Sequence, residues 1–137
     1  MATEFYSEDV EFPAIDIDHL SSWIDKIIEK EGCETGDISV IFVSDEYLLQ
    51  VNNQYLEHDY FTDIITFDYS EDHIVSGDLF ISVDTVLSNS QDFNVTFLQE
   101  LHRVIIHGVL HLIGFDDKSD ADQEIMTKME NLSLEMM

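Results

Sequence analysis

The chain has 137 residues, of which 45% are hydrophobic, which is long enough for one core and short for two. Its 30 acidic residues outnumber its 5 lysines and arginines, so the formal net charge is -25 at pH 7. This charge disfavours non-specific binding to nucleic acid or to an anionic membrane. The single cysteine, Cys33, excludes an internal disulfide and a thiolate metal cluster.

We expect neither a signal peptide nor a membrane-spanning helix. The N-terminal segment is acidic and lacks the basic-then-apolar order of a signal peptide. The longest apolar run, residues 104–115, is too short to span a bilayer and contains two histidines. We therefore expect one cytoplasmic domain over residues 1–137.

The first predicted elements are a strand and a helix. Residues 2–8 alternate weakly between polar and apolar, which predicts an edge strand. Apolar residues then recur at helical spacing, which predicts a helix over residues 17–31. Asp16 or Asp18 can cap this helix, and Gly32 ends it.

The next predicted strand lies in the middle of the sheet. Residues 37–44 are β-branched and aromatic, which is typical of a strand buried on both faces. Ser44 and Asp45 can then cap a helix that runs to about Leu56. A polar loop over residues 57–62 follows.

A hairpin and three helices complete the predicted elements. Residues 63–69 and 77–83 are strands joined by a turn within residues 71–76, and a short helix follows at residues 83–88. The expected core stripe of a long helix over residues 95–113 is Phe97, Leu98, Leu101, Ile105, Val109 and Leu112. A closing helix over residues 119–137, capped by Ser119 and Asp120, carries Ile125, Met126, Met129 and Leu132 at helical spacing.

Two histidines on the long helix suggest a metal site. His107 and His111 are four residues apart, so their side chains share one helix face and can bind the same ion. Gly114 is placed to end the helix and let the chain double back. If Asp117 then swings under the helix end, three protein ligands leave one position open for catalysis, with Asp116 as the alternative third ligand.

The alternative is that these histidines only bond to carbonyl groups or face solvent. A metal site is favoured because both interrupt an apolar run and carboxylates follow the glycine directly. In the protease signature H-E-x-x-H a glutamate follows the first histidine as general base, whereas this chain has Gly108 there. Hydrolysis would then depend on the metal itself, and the glycine would serve close packing on the sheet or leave room for a substrate.

These residues resemble a known family. H-G-V-L-H-L-I-G-F-D-D at residues 107–117 resembles the H-G-x-L-H-L-x-G-Y-D-H signature of the YbeY family of bacterial endoribonucleases. Upstream, Asn52-x-x-Tyr55 and T-D-I-I-T-F at residues 62–67 are similar to that family's N-x-x-Y-R and T-D-V-L-S-F block. G-D-L-F-I-S at residues 77–82 resembles its G-D-I-x-I-S strand, so the resemblance covers nearly the whole chain.

The resemblance implies a mixed α/β (α+β) single domain, with a small four-stranded sheet packed against about five helices. It implies one Zn²⁺ per chain, held by His107, His111 and Asp117. It also implies a metal-dependent, single-strand-specific endoribonuclease acting in ribosomal RNA maturation and ribosome quality control, with His107 and His111 as catalytic residues. Helical spacing adds Arg103 as a further candidate catalytic residue, because it lies four residues before His107 on the same face. The expected partners are ribosomal RNA or a pre-ribosomal particle, and not DNA or a membrane. A basic ribosomal protein is a further candidate partner that could deliver the RNA.

Two positions depart from the family pattern. The family's third histidine is Asp117 here, whose negative charge favours harder ions, so another divalent metal could replace zinc. The family's arginine after the tyrosine is Leu56 here. Arg103, Lys118 or His58 could replace it. Arg103 lies on the face of His107 and His111, and its alternative role is a plain salt bridge, for instance to Glu100.

Two other functions stay open at this point. One is a metal-dependent hydrolase of peptides or small molecules, against which the missing glutamate argues. The other is a non-catalytic ribosome-assembly factor with a structural metal, against which the count of three ligands argues.

Overall fold

The computed structural model describes residues 3–56 and 62–137, and at residues 55 and 56 only the course of the backbone. In chain order these residues form β1 (Glu4–Ser7), α1 (Ile17–Lys30), β2 (Glu34–Val43), α2 (Asp45–Leu56), β3 (Ile64–Asp68), β4 (Ile74–Ser82), α3 (Val83–Asp92), α4 (Phe97–Ile113) and α5 (Asp120–Glu135). The predicted mixed fold, with four strands and five helices, is confirmed for the described part of the chain. The loop predicted at residues 57–62 lies outside it except for Thr62.

The four strands form one sheet in the order β1-β2-β4-β3. β1, β2 and β4 are mutually parallel, whereas β3 runs antiparallel to β4. The predicted edge strand, buried central strand and hairpin are therefore all confirmed. β4 begins at Ile74 rather than at residue 77, because a tight turn pairs Glu71 with Ile74 through two backbone hydrogen bonds of 3.1 and 2.9 Å. Asp72 permits this turn by adopting a φ of 55°.

Side-chain caps determine where the helices begin. Asp16, rather than Asp18, accepts the first-turn hydrogen bond of α1 from the backbone N–H of His19. α4 begins at residue 97 and not 95, because Thr96 and Gln99 form a reciprocal capping box there. α3 extends to Asp92, beyond the predicted end at residue 88, and within it Ser90 donates its hydroxyl hydrogen bond to the Leu87 carbonyl.

Two of the predicted core stripes were partly wrong. Leu98 of α4 is 41% exposed, because its neighbour Phe97 packs against the core and adjacent helical residues point about 100° apart. In α5 the buried residues are Met126, Glu130 and Ser133, while Ile125 is 50% exposed and Leu132 is 37% exposed. The inward face of α5 is therefore rotated by about one residue from the apolar stripe that the sequence indicates.

The core lies on both faces of the sheet. The larger cluster joins α1, α4 and the sheet, and the smaller one joins α2 to the other face of β2 and β3. Trp23 of α1 packs fully buried in the larger cluster and donates its indole N–H to the Ser133 carbonyl at 2.7 Å, which ties α1 to α5. Among the described residues, no helix is long and apolar enough to cross a membrane.

Two glycines allow α4 to lie directly on the β3–β4 hairpin. A Cβ atom at Gly108 would lie 2.7 Å from the Ile64 Cδ1 atom and 2.9 Å from the Leu79 Cδ2 atom. At Gly77 it would lie 2.4 Å from the Phe67 carbonyl oxygen and 2.6 Å from the Leu112 Cδ2 atom. The close packing predicted for Gly108 is confirmed, and it brings the histidine face of α4 beside β3.

Replacing Gly77 with alanine should destabilise the protein by about 1–3 kcal/mol, the usual cost of overfilling a packed core. The new methyl group would collide with a backbone oxygen, which cannot move aside as a side chain can. Urea denaturation of wild type and Gly77→Ala measures the difference. An unchanged midpoint would mean that the helix does not depend on this close approach.

Candidate metal centre

The two histidines of α4 lie one helical turn apart at the C-terminal end of that helix. Gly114 follows them with a φ of 128°, a conformation that residues with a side chain rarely adopt. Its N–H donates to the carbonyls of Leu110 and His111, and the Phe115 N–H donates to the Leu110 carbonyl as well. The predicted glycine stop is confirmed, and it turns the chain back toward the histidines.

Asp117 completes a group of three ligand atoms that lie within 4.8 Å of one another. The Nε2 atoms of His107 and His111 are 3.0 Å apart, and the Oδ2 atom of Asp117 lies 3.4 Å and 3.3 Å from them. Nitrogen and oxygen ligands at about 2.0–2.1 Å from a tetrahedral zinc ion stand about 3.3 Å from one another. The three side chains are therefore spaced to hold a single divalent ion, and all three line the same cleft.

The neighbouring Asp116 has a different position. Its Oδ1 atom accepts a hydrogen bond of 2.8 Å from the Asp117 N–H, and its side chain is outside the group of three ligands. Gln123 of α5 donates to the Asp117 carbonyl at 3.1 Å. These two contacts hold the backbone of Asp117 in place, so the geometry favours Asp117 over Asp116 as the third ligand.

Behind the histidines, α5 contributes a buried carboxylate that sequence reasoning missed. The Nδ1–H group of His107 donates to the Oε2 atom of Glu130 at 2.7 Å. The other oxygen, Oε1, accepts from the Nη1 atom of Arg103 at 2.9 Å, and Nη2 of Arg103 donates to the Oδ1 atom of Asn131 at 2.8 Å. Arg103 is thus a salt-bridge partner of Glu130, and its predicted catalytic role stays a prediction.

Carboxylates determine the electrostatics around His107. Burial alone would lower the pKa of this imidazole, but the hydrogen bond to Glu130 and the negative charges of Glu130, Asp117 and Asp63 together raise it. Burial raises the pKa of the Asp63 carboxyl, partly offset by the charge of His107. Burial also raises the pKa of Glu100, with a further contribution from Asp63. Acid–base groups are therefore concentrated next to the three ligand atoms.

The ligand atoms open into a cleft of about 500 Å³ between α4, the segment after it and the edge strand β3. The residues lining this cleft include Asn52, Thr62, Asp63, Thr66, Asp68 and Lys118. Lys118, one of the cations proposed to replace the family's arginine, is exposed there, whereas His58 lies outside the described residues. Asp63 was visible in the sequence only as part of the T-D-I-I-T-F block, since no spacing rule joins it to the histidines.

Comparisons with known proteins show which family this chain is similar to. A family model described as endoribonuclease YbeY matches residues 5–137. An endoribonuclease YbeY of Parabacteroides distasonis is 53% identical over 137 residues, which is all of this chain and 96% of that protein. One from Bacteroides thetaiotaomicron is 48% identical over 136 residues, which is 99% of each chain. The solution structure of TM1509 from Thermotoga maritima superposes with a TM-score of 0.71 at 28% identity, covering 98% of this chain and 87% of that one.

Removing the charge of Asp117 should weaken metal binding far more than removing that of Asp116. Asp117→Asn replaces a carboxylate ligand with an amide oxygen, which binds metal ions more weakly. The affinity for the metal should fall by more than the roughly 10–100-fold that is typical when a residue contacting a ligand, but not the metal itself, is removed. Asp116→Asn is the matched control, because its amide oxygen still accepts from the backbone N–H at residue 117. Titration calorimetry with Zn²⁺ measures both. Equal losses would show that the ligand is not assigned correctly.

Proposed function

This chain belongs to the YbeY family of endoribonucleases, and on that premise we propose that it is a metal-dependent, single-strand-specific endoribonuclease acting in ribosomal RNA maturation and quality control. The observation that carries the proposal is the triangle of His107, His111 and Asp117 ligand atoms, with edges of 3.0–3.4 Å, at the bottom of an open cleft. We propose further that the protein is cytoplasmic and that its RNA substrate is part of a pre-ribosomal particle.

In this proposal the three side chains hold one divalent ion. The chemistry such an ion supplies when bound is polarisation of a phosphoryl oxygen and a lowered pKa for a coordinated water. Zn²⁺ fits the two imidazoles and the ligand spacing. The carboxylate of Asp117 makes Mn²⁺ or another harder ion a competitor, because hard ions prefer oxygen ligands.

The remaining residues of the cleft bind and orient the RNA. Lys118 is the cation lining the cleft among the described residues, and we assign it the contact with a phosphate next to the scissile one. Acidic side chains, including Asp63 and Asp68, line the same cleft. These carboxylates repel the phosphates of a nucleic acid, and a duplex carries about twice the phosphate charge of a single strand. The repulsion therefore favours a single strand as the substrate.

The packing at Gly108 argues against the peptide hydrolase. A metalloprotease of the H-E-x-x-H type needs a glutamate at this position. Here even a Cβ atom would lie within 3.0 Å of the Ile64 and Leu79 side chains, so a glutamate would have to displace the hairpin that forms the cleft. The glutamate that acts as the general base in such proteases therefore cannot be accommodated at residue 108 of this fold.

Zinc-loaded wild type should cleave a single-stranded RNA oligonucleotide and leave an unstructured peptide intact. His111→Ala should lower RNA cleavage by about 100-fold or more, since the metal contributes several kcal/mol to transition-state stabilisation. Lys118→Gln should weaken RNA binding uniformly across sequences at unchanged metal content. Lys128→Gln, the same change on the exposed face of α5, is the matched control.

The outcomes of that experiment separate the three candidate functions. Peptide cleavage without RNA cleavage would replace the endoribonuclease with a peptide hydrolase. A protein that binds the metal and cleaves neither substrate would be a non-catalytic assembly factor. A fragment pattern that persists in His111→Ala would indicate a contaminating nuclease and leave the metal-dependent activity without support.

Cleavage of naked RNA should accelerate with added salt, the reverse of the usual dependence. At a net charge of -25 the protein repels a polyanion at long range. Raising monovalent salt from about 0.01 M to about 0.15 M shortens the Debye length from about 30 Å to about 8 Å, which screens this repulsion. We therefore expect kcat/KM to rise over that range. A phosphodiester with a single charge should show a much shallower change, and a fall in kcat/KM for RNA would mean that the local cations dominate encounter.

A further inference from the structure

Glu130 occupies a place where an amphipathic helix normally carries an apolar residue. It lies between Met126 and Ser133 on the inward face of α5 and is only 7% exposed. Burying a carboxylate is strongly unfavourable unless its oxygens find hydrogen-bond donors. Here both do, because Oε1 accepts from Arg103 and Oε2 accepts from the Nδ1–H group of His107.

The hydrogen bond to Glu130 has a chemical consequence for His107. A carboxylate offers only acceptors, so the proton of the neutral imidazole must sit on Nδ1. The lone pair is then on Nε2, the atom that lies 3.0 Å from His111 Nε2 and 3.4 Å from Asp117 Oδ2. Without an acceptor behind it, the ring could carry its proton on Nε2 and would have to exchange tautomers before binding an ion.

Arg103 acts on the same carboxylate from the other side. Its guanidinium spans from Glu130 to Asn131, with N–O distances of 2.9 and 2.8 Å, and so fixes the plane in which Glu130 faces the imidazole. Arg103 and His107 are consecutive members of the i, i+4 row on α4, and Glu130 reaches both from α5. This three-residue chain links the helix packing directly to the orientation of a metal ligand.

We propose that Glu130 is a positioning residue that holds His107 in the Nδ1–H tautomer with Nε2 free for the metal, and that Arg103 fixes the orientation of Glu130. This inference rests on the proposed function, because it assigns His107 to the metal. It also gives Arg103 a role through Glu130 in place of a direct contact with RNA phosphates.

The first test reads the tautomer of His107 in metal-free protein. Long-range ¹H–¹⁵N spectra of the imidazole, at a pH where it is neutral, should show the proton on Nδ1 in wild type and a mixture of tautomers in Glu130→Leu. Glu124→Gln, a charge change on the exposed face of the same helix, should leave the wild-type pattern. If single Glu130→Leu fails to fold, the double variant Arg103→Leu/Glu130→Leu removes both members of the ion pair, leaves no unpaired charge between α4 and α5, and should preserve the fold.

The second test measures the dissociation constant for Zn²⁺ by competition with a chromophoric chelator. Glu130→Leu should weaken binding by about 10–100-fold, as is typical for the loss of a partner that orients a metal-ligating histidine. Glu130→Gln keeps an acceptor oxygen and should lose less. Affinities of both variants within about twofold of wild type, together with an unchanged tautomer, would overturn the inference.

Arg103→Gln separates the two roles open to that arginine. A positioning role predicts a raised dissociation constant for Zn²⁺ and normal RNA cleavage once the metal is saturating. A direct phosphate contact predicts unchanged metal affinity and a raised KM for RNA, and this result would remove Arg103 from the proposal. Absence of zinc binding in wild type would refute the proposed function instead, while the tautomer spectra would still decide the role of Glu130.

Discussion

The close approach of α4 to the β3–β4 hairpin is the constraint on which the rest of the structure depends. Gly77 and Gly108 lack the side-chain atoms that would keep helix and sheet apart, and Leu79 and Leu112 fill the space that remains. Because the buried face of α4 is held so near the sheet, the next face of the helix meets the edge of β3. The cleft and the position of its histidines result from this packing. A change that loosens the packing should therefore alter both the stability of the protein and the geometry of the site.

A second feature is the uneven use of charge. The chain carries a formal net charge of -25, yet among the described residues only the carboxylates of Glu100 and Glu130 are buried, and both lie near His107. Glu130 is paired with Arg103 and His107, and Asp63 lies where its charge raises the pKa of His107. Most other acidic residues in the described part of the chain are exposed or half-buried, where they affect encounter with a polyanion rather than the chemistry of the site.

Local rules predicted most elements and missed those features that depend on contacts distant in the chain. Helical and strand periodicity located all four strands and five helices of the described residues, because each rests on neighbours within one or two turns. The prediction of which face of α5 is buried was partly wrong. The apolar stripe through Ile125 and Leu132 does not face the core, because Trp23 bonds to the Ser133 carbonyl and Glu130 pairs with α4. Neither partner is near α5 in sequence.

What the sequence by itself determined is the pair of imidazoles, the turn after them and the family. An i, i+4 spacing and a glycine stop act within a few residues, so His107, His111 and Gly114 could be interpreted without a fold. Only the tertiary structure placed Asp117, and not Asp116, together with the two histidines, brought Asp63 into the cleft and turned Glu130 toward His107. These choices depend on where the helices and the hairpin pack in space, and a burial pattern carried by one element alone does not contain that information.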